Sequence, residues 1–294
     1  MLNKIKGGLF GLAIGDALGA PTEFLKPSQI EYKFGGKVTE MIGGGMFNWK
    51  PGETTDDTAM SLCVARGILN NKENPIEEIG NEFLNWFHSR PKDIGINTRL
   101  ALKYYKMHDS WKEAALSAHD SLDGKSAGNG SLMRTLPIPL LIPDLEKAQH
   151  ISMEQSSLTH YDVLAANCCS VYTEAITNIL NGNEFKSVIE QSFSQLNLPK
   201  EELINPSVPS DGFVLHTFVW ALHLCYTSKD FEEVVVRAAN VGDDTDTIGA
   251  IAGGLYGTYY GYESLPIRYI NALLNKSELE DISNQIYHFR NTQI

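Results

Sequence analysis

The 294-residue chain reads as all-α, a single compact multi-helix domain spanning residues 1–294. Three observations predict this. Apolar residues recur at three- and four-residue spacing along most of the sequence. Alternating runs of β-branched residues are nearly absent, and the "VVV" at 234–236 falls within helical spacing. No polar linker, low-complexity tract or solenoid-period repeat divides the chain.

The elements follow in order. Helical spacing covers residues 3–19, 56–70, 76–88, 96–107, 111–121, 159–181, 211–227, 230–240 and 246–261, with about a dozen helices expected in all. Pro75 suits the first turn of one helix and Asp211 the start of another. Loops are expected at 33–55, 89–95, 123–130, 136–146 and 195–210. They are long for a helical protein, and long ordered loops are usually functional. The first helix, "MLNKIKGGLFGLAIGDALGA", imitates a secretory signal. Asp16 and the glycines interrupt its apolar run, so we read it as a helix of the mature protein. Gly7, Gly11, Gly15 and Gly19 fall at four-residue spacing, and so do Gly249, Gly253, Gly257 and Gly261. A glycine within a helix costs up to about 1 kcal/mol against alanine. Such stripes are useful where another backbone approaches closely, and coincidence in a glycine-rich chain is the alternative.

Composition narrows the function. Acidic residues number 36 against 24 basic ones, for a net charge of −12. With no Lys/Arg-rich run, this argues against nucleic acid and anionic membranes as partners. The longest uncharged stretch, 247–262, is shorter than the roughly 20 apolar residues of a spanning helix. Cys63, Cys168, Cys169 and Cys225 form no CxxC pair and lie in apolar segments. They read as reduced, buried thiols of a cytoplasmic protein.

Chemistry concentrates at two places. Thr54, Thr55, Asp56, Asp57 and Thr58 crowd one helix mouth, and "VGDDTDTIGAIAGGLYG" at 241–257 repeats the pattern. A helix cap needs only one such oxygen, so capping and ion binding are both open readings. Successive helical residues point about 100° apart, so Asp56 and Asp57 diverge toward two ions more readily than they chelate one. If the clusters meet, four carboxylates converge and demand cations. Oxygen ligands of this type suit magnesium, manganese or calcium rather than zinc or copper.

Six segments in register carry a resemblance. "GLAIGDALGAPTEF", "GGGMFNWKPGETTDDTAM", "PKDIGINTRLAL", "AGNGSLMRTLP", "SLTHYD" and "NVGDDTDTIGAIAGGLYG" together resemble the ADP-ribosylglycohydrolase family, in particular its bacterial dinitrogenase reductase-activating branch. The likeness runs from about residue 3 to 261, in the family's order. It implies two divalent cations, magnesium or manganese, held by Thr55, Asp56, Asp57, Asp244, Asp246 and Thr247. It also implies catalytic roles for Glu23, on a mobile loop, and for Asp93. Ser126, Gly128, Asn129, Gly130, Ser131 and His160 correspond to the ADP-ribose pocket. Asp243 and Asp244 are not separable as ligands by sequence. Arg134 is expected to anchor the glycine loop by an ion pair, and Asp16 to orient its helix junction. Each acid keeps a plainer reading: Glu23 as a solvated loop residue, Asp93 as a cap, His160 as a core histidine.

The implied activity is metal-dependent hydrolysis of the glycosidic bond between ADP-ribose and a modified acceptor, with N-linked arginine first. The substrate would be an ADP-ribosylated protein or small molecule, and the enzyme a monomer. A non-catalytic ADP-ribose-binding protein, or a two-metal hydrolase of another nucleotide-linked bond, are the alternatives.

Overall fold

The structure, a computed structural model, describes residues 1–292. Among the described residues it contains sixteen α-helices, two single 3-10 turns and no β-strand. The first half supplies α1 (Leu2–Gly19), α2 (Pro27–Phe34), α3 (Asp56–Asn70), α4 (Pro75–His88), α5 (Ile96–His108) and α6 (Trp111–Ser121). Then come α7 (Pro137–Leu141), α8 (Leu145–Ser157), α9 (Val163–Leu180), α10 (Phe185–Ser194) and α11 (Glu201–Ile204). The last are α12 (Val214–Thr227), α13 (Phe231–Ala238), α14 (Thr245–Tyr260), α15 (Ile267–Ala272) and α16 (Lys276–Asn291). The all-α expectation holds.

Local chemistry sets the boundaries. Ser110, Asp144, Asp162 and Asp230 each accept a backbone N–H in the first turn of the helix they precede. Pro75 opens α4, as expected. Three expectations need correction. The helix placed at 159–181 begins at Val163, because Asp162 caps it and Thr159–Tyr161 stay outside. The helix placed at 211–227 begins at Val214, and Asp211 instead receives Phe213 N–H and His216 Nδ1 from within the preceding turn. The loop placed at 136–146 holds α7, which Pro137 starts where its missing N–H costs nothing. No helix was placed at α2, α8, α10, α11, α15 or α16, although Phe185, Val188, Ile189 and Phe193 in α10 and Leu279, Ile282 and Ile286 in α16 do fall at helical spacing; α11 lies within the loop expected at 195–210.

The core is built around α1. It is buried on all sides from Ile5 to Gly19 apart from Lys6, so it behaves as an internal helix rather than an amphipathic one. Its partner along its whole length is α14, and the two glycine stripes meet face to face. A Cβ built on Gly7 would lie 2.1 Å from the Gly257 carbonyl oxygen, on Gly11 2.2 Å from that of Gly253, and on Gly15 1.9 Å from that of Gly249. No side chain fits in the seam. The cost of glycine within both helices is therefore offset by contact between their backbones. At the far end Gly19 lies against Asp246, where an added Cβ would come within 2.5 Å of its Cα. The four cysteines are free and buried, as read. No described helix is long and apolar enough to cross a membrane.

Candidate active site

The seam brings the end of α1 against the start of α14, and α3 begins beside them. Asp16, fully buried on α1, accepts Thr55 N–H at 2.9 Å and the Thr58 N–H and hydroxyl at 3.1 and 2.5 Å. It thus orients this junction as expected, by capping α3 from another helix. Burial pushes its carboxyl up to about 6, against the pull of those donors.

Beyond α1 the chain turns sharply. Phe24 adopts a left-handed backbone (φ 62°), as does Asp243 (φ 54°). The two turns are tied together: Phe24 N–H donates to Asp243 O at 2.7 Å, and Asp243 N–H to Leu25 O at 2.9 Å. Holding a bulky residue there costs on the order of 1–3 kcal/mol, which the surrounding bonds must offset. The result is Glu23 turned inward, 8% exposed, on a loop pinned to the approach of α14.

Glu23, Asp56, Asp57, Asp93, Asp244 and Asp246 all line one cavity of about 520 Å³. Carboxylate oxygens of Glu23, Asp93 and Asp246 lie within 4.8 Å of one another. Thr55 and Thr247 each direct a hydroxyl toward Asp57 Oδ2, both at 3.4 Å. Thr247 lines the cavity, whereas Thr55 sits behind Asp57. Asp244 belongs to the convergent set; Asp243 lines the cavity but is solvent-exposed.

Such crowding has an electrostatic cost. Burial, then Asp93 and Asp16, push Asp56 up to about 8. Burial, then Asp246, raise Asp57 well above the carboxylate range, and burial with Asp244 does the same to Asp246. Glu23 is raised by burial first, then by Asp246, Asp244, Asp93 and Asp56. Asp57 Oδ1, Asp246 Oδ1 and Glu23 Oε2 are buried with no hydrogen-bond partner among the described residues. Unsatisfied buried carboxylate oxygens facing one another are what a divalent cation requires and what an apoprotein avoids. The donor set fits metal.

The glycine loop forms another part of the lining. Gly128, Asn129, Gly130 and His160 face the cavity. Asn129 N–H donates to Gly212 O and Val214 N–H to Ala127 O, which pins the loop to the segment before α12. The Asn129 carboxamide reaches Thr217 Oγ1 at 2.9 Å and Asp244 Oδ2 at 2.5 Å, linking this loop to the acidic group. Ser126 and Ser131 are placed differently. The Ser126 hydroxyl bonds His119 Nδ1 and donates to Tyr161 O, and the Ser131 hydroxyl accepts from Ser156, so both are spent on the scaffold.

His160 lies under the loop, where a Cβ on Gly130 would come 3.1 Å from its Cε1. Burial, aided by Arg134, pushes its pKa down to about 3 and keeps the ring neutral. Arg134 does anchor this region, but not by an ion pair. Wholly buried, it donates to Gln155 Oε1, Gln155 O and Thr159 Oγ1 at 2.7–2.9 Å, and stacks over Phe83. Neutral acceptors in a fixed fork suit a guanidinium and not an ammonium. Arg134→Lys is therefore expected to lower stability by roughly 1–3 kcal/mol, read as a shift in urea midpoint; an unchanged midpoint would remove this account.

Sequence reasoning missed other lining residues. Phe24, Asn97, Thr98, Lys125 and Asp211 all face the cavity. Asp211 was visible but read as a helix start; Phe24, Asn97 and Thr98 lay within quoted segments but were given no role, and Lys125 carried no pattern of its own.

The chain as a whole is similar to known proteins. The family model described as ADP-ribosylglycohydrolase matches residues 1–293. The ADP-ribosyl-(dinitrogen reductase) glycohydrolase of Rhodospirillum rubrum is 32% identical, over 95% of this chain and 92% of that protein. The ADP-ribosylarginine hydrolase Tri1 of Pseudomonas putida (strain GB-1) is 30% identical, over 97% of this chain and 78% of its own. A solved structure titled ADP-ribosylglycohydrolase-related protein complex superposes with a TM-score of 0.83 at 29% identity, covering 98% of both chains. With the match running end to end, this chain belongs to the ADP-ribosylglycohydrolase family.

Proposed function

We propose that this protein is a metal-dependent hydrolase that cleaves the glycosidic bond between ADP-ribose and a modified acceptor, with N-linked arginine on a protein as the first acceptor. One observation carries the reading: six carboxylates converge in a cavity that a glycine loop also lines. The two relatives named above support the arginine acceptor, since one is an ADP-ribosylarginine hydrolase and the other acts on an ADP-ribosylated protein.

Thr55, Asp56, Asp57, Asp244, Asp246 and Thr247 would hold two divalent cations, magnesium or manganese. Bound there, the cations would supply Lewis acidity and neutralise the acidic charge. Glu23 takes the proton from the attacking water. Its carboxyl is raised by burial first and then by its acidic neighbours, and neutralising their charge removes the second of these. Asp93 lies within the same oxygen cluster as Glu23 and steadies positive charge at the anomeric carbon, which develops oxocarbenium character. Gly128 and Gly130 let the loop backbone approach the diphosphate, whose negative charge amide N–H groups receive, with Lys125 lining the same cavity. Neutral His160 supports that loop and adds no charge that would bind diphosphate indiscriminately.

Glu23→Gln is expected to bind ADP-ribose normally and to lose turnover by about 10²–10⁴-fold, the usual worth of a general base. Calorimetry with ADP-ribose and turnover of ADP-ribosyl-arginine at low and saturating manganese test this together. Unchanged turnover refutes the role, and rescue by excess manganese makes Glu23 a ligand instead. Release of AMP rather than ADP-ribose by the wild type would overturn the glycosidic assignment itself.

A further inference from the structure

The turn that delivers Glu23 exposes its neighbour. Phe24 lies in the left-handed region at φ 62°, and its side chain is 54% exposed. An exposed phenyl ring in a costly conformation contributes little to stability, so its placement calls for another use. It lines the same cavity as Glu23, Asp93 and Asp243. Phe47 meets it edge to face, with ring centroids 6.3 Å apart at 69°, which steadies the ring without covering it.

A bond broken beside Glu23 leaves its acceptor next to Phe24. The chemistry available there is selective. An aromatic face attracts a cation, and carboxylates attract it further; both suit the flat, charged guanidinium, whereas a neutral serine hydroxyl draws no such attraction from the ring. Glu23 Oε2, buried and without a partner among the described residues, offers an acceptor for a guanidinium N–H in the same cavity.

We propose that Phe24 is the specificity-determining residue on the acceptor side: its ring receives the guanidinium of an arginine leaving group and favours arginine-linked over serine-linked ADP-ribose. This rests on the glycohydrolase reading above and names the acceptor within it.

The test compares kcat/KM for ADP-ribosyl-arginine and ADP-ribosyl-serine peptides in wild type, Phe24→Leu and Phe24→Tyr, with melting temperature measured alongside. Leucine keeps the apolar bulk and removes the π face; tyrosine keeps both. Phe24→Leu is expected to lower the arginine-to-serine ratio by roughly 3- to 30-fold, and Phe24→Tyr to retain it. Should Phe24→Leu fail to fold, Phe24→Gly, which relieves the left-handed backbone, carries the same readout. An unchanged ratio in Phe24→Leu, or an equal fall in Phe24→Leu and Phe24→Tyr, overturns the inference. Both substrates falling together would do so too, leaving Phe24 as a support for the Glu23 turn. A wild type that prefers serine overturns it while the glycohydrolase reading stands. A wild type releasing ADP-ribose from neither peptide overturns both.

Discussion

Gly15→Ala is expected to cost at least about 3 kcal/mol of stability, at the upper end of what overpacking costs. The added methyl would stand 1.9 Å from the Gly249 carbonyl oxygen and 2.9 Å from the Ala250 nitrogen. Both are backbone atoms of a helix, so no rotamer change relieves the clash. The helices must move apart, which opens the seam along its length. Gly95→Ala is the control, since nothing lies within 4 Å of the Cβ it would add. Thermal and urea unfolding of the two variants decide the matter. A Gly15→Ala protein melting with the wild type would show that the seam tolerates a side chain.

Asp246→Asn is expected to abolish hydrolysis and yet to stabilise the metal-free protein. Removing one charge from a convergent, buried set lowers the repulsion that raises Asp57 and Glu23. The same argument predicts the pH dependence of the chelated wild type. A carboxyl raised in the folded state contributes stability that is full below its unfolded pKa and lost as pH rises through the folded one. For Asp56 that window runs from the ordinary aspartate value of 3.8 to about 8. Metal-free protein should therefore melt at progressively lower temperature from pH 5 to pH 8. Manganese should flatten the trend, and Asp246→Asn should weaken it. A chelated protein whose melting temperature rises across that range would contradict the assignment of these acids as a metal-binding group.

Much of this was legible in residues whose chemistry is local. The paired glycine stripes pointed to a backbone contact that would offset their cost, with coincidence as the alternative, and Gly11 does meet Gly253. The twin acidic clusters announced convergence because neither is needed twice as a cap. What was not legible depends on neighbours distant in sequence. The spacing of Arg134 gave no sign that Gln155 and Thr159, rather than a carboxylate, would surround it. Ser126 and Ser131 carried the right residue type for an anion loop, but His119 and Ser156 claim their hydroxyls. Phe24 was invisible as a site residue, since only the tie to Asp243 turns it outward.

The seam also has a consequence for how the protein is made. Its two helices come from opposite ends of the chain: Thr245 donates its hydroxyl to Gly19 O across 226 positions. Emerging from the ribosome at roughly 5–20 residues per second, α1 would wait on the order of 10–45 s for α14. Throughout that interval α1 lacks the helix that packs along its whole length, and two of the five site aspartates have not been synthesised. Contacts this non-local form late and slowly. A nascent chain stopped before Asp244 would thus carry an α1 without its α14 partner and no working site, which makes it a client for chaperones rather than a partial enzyme.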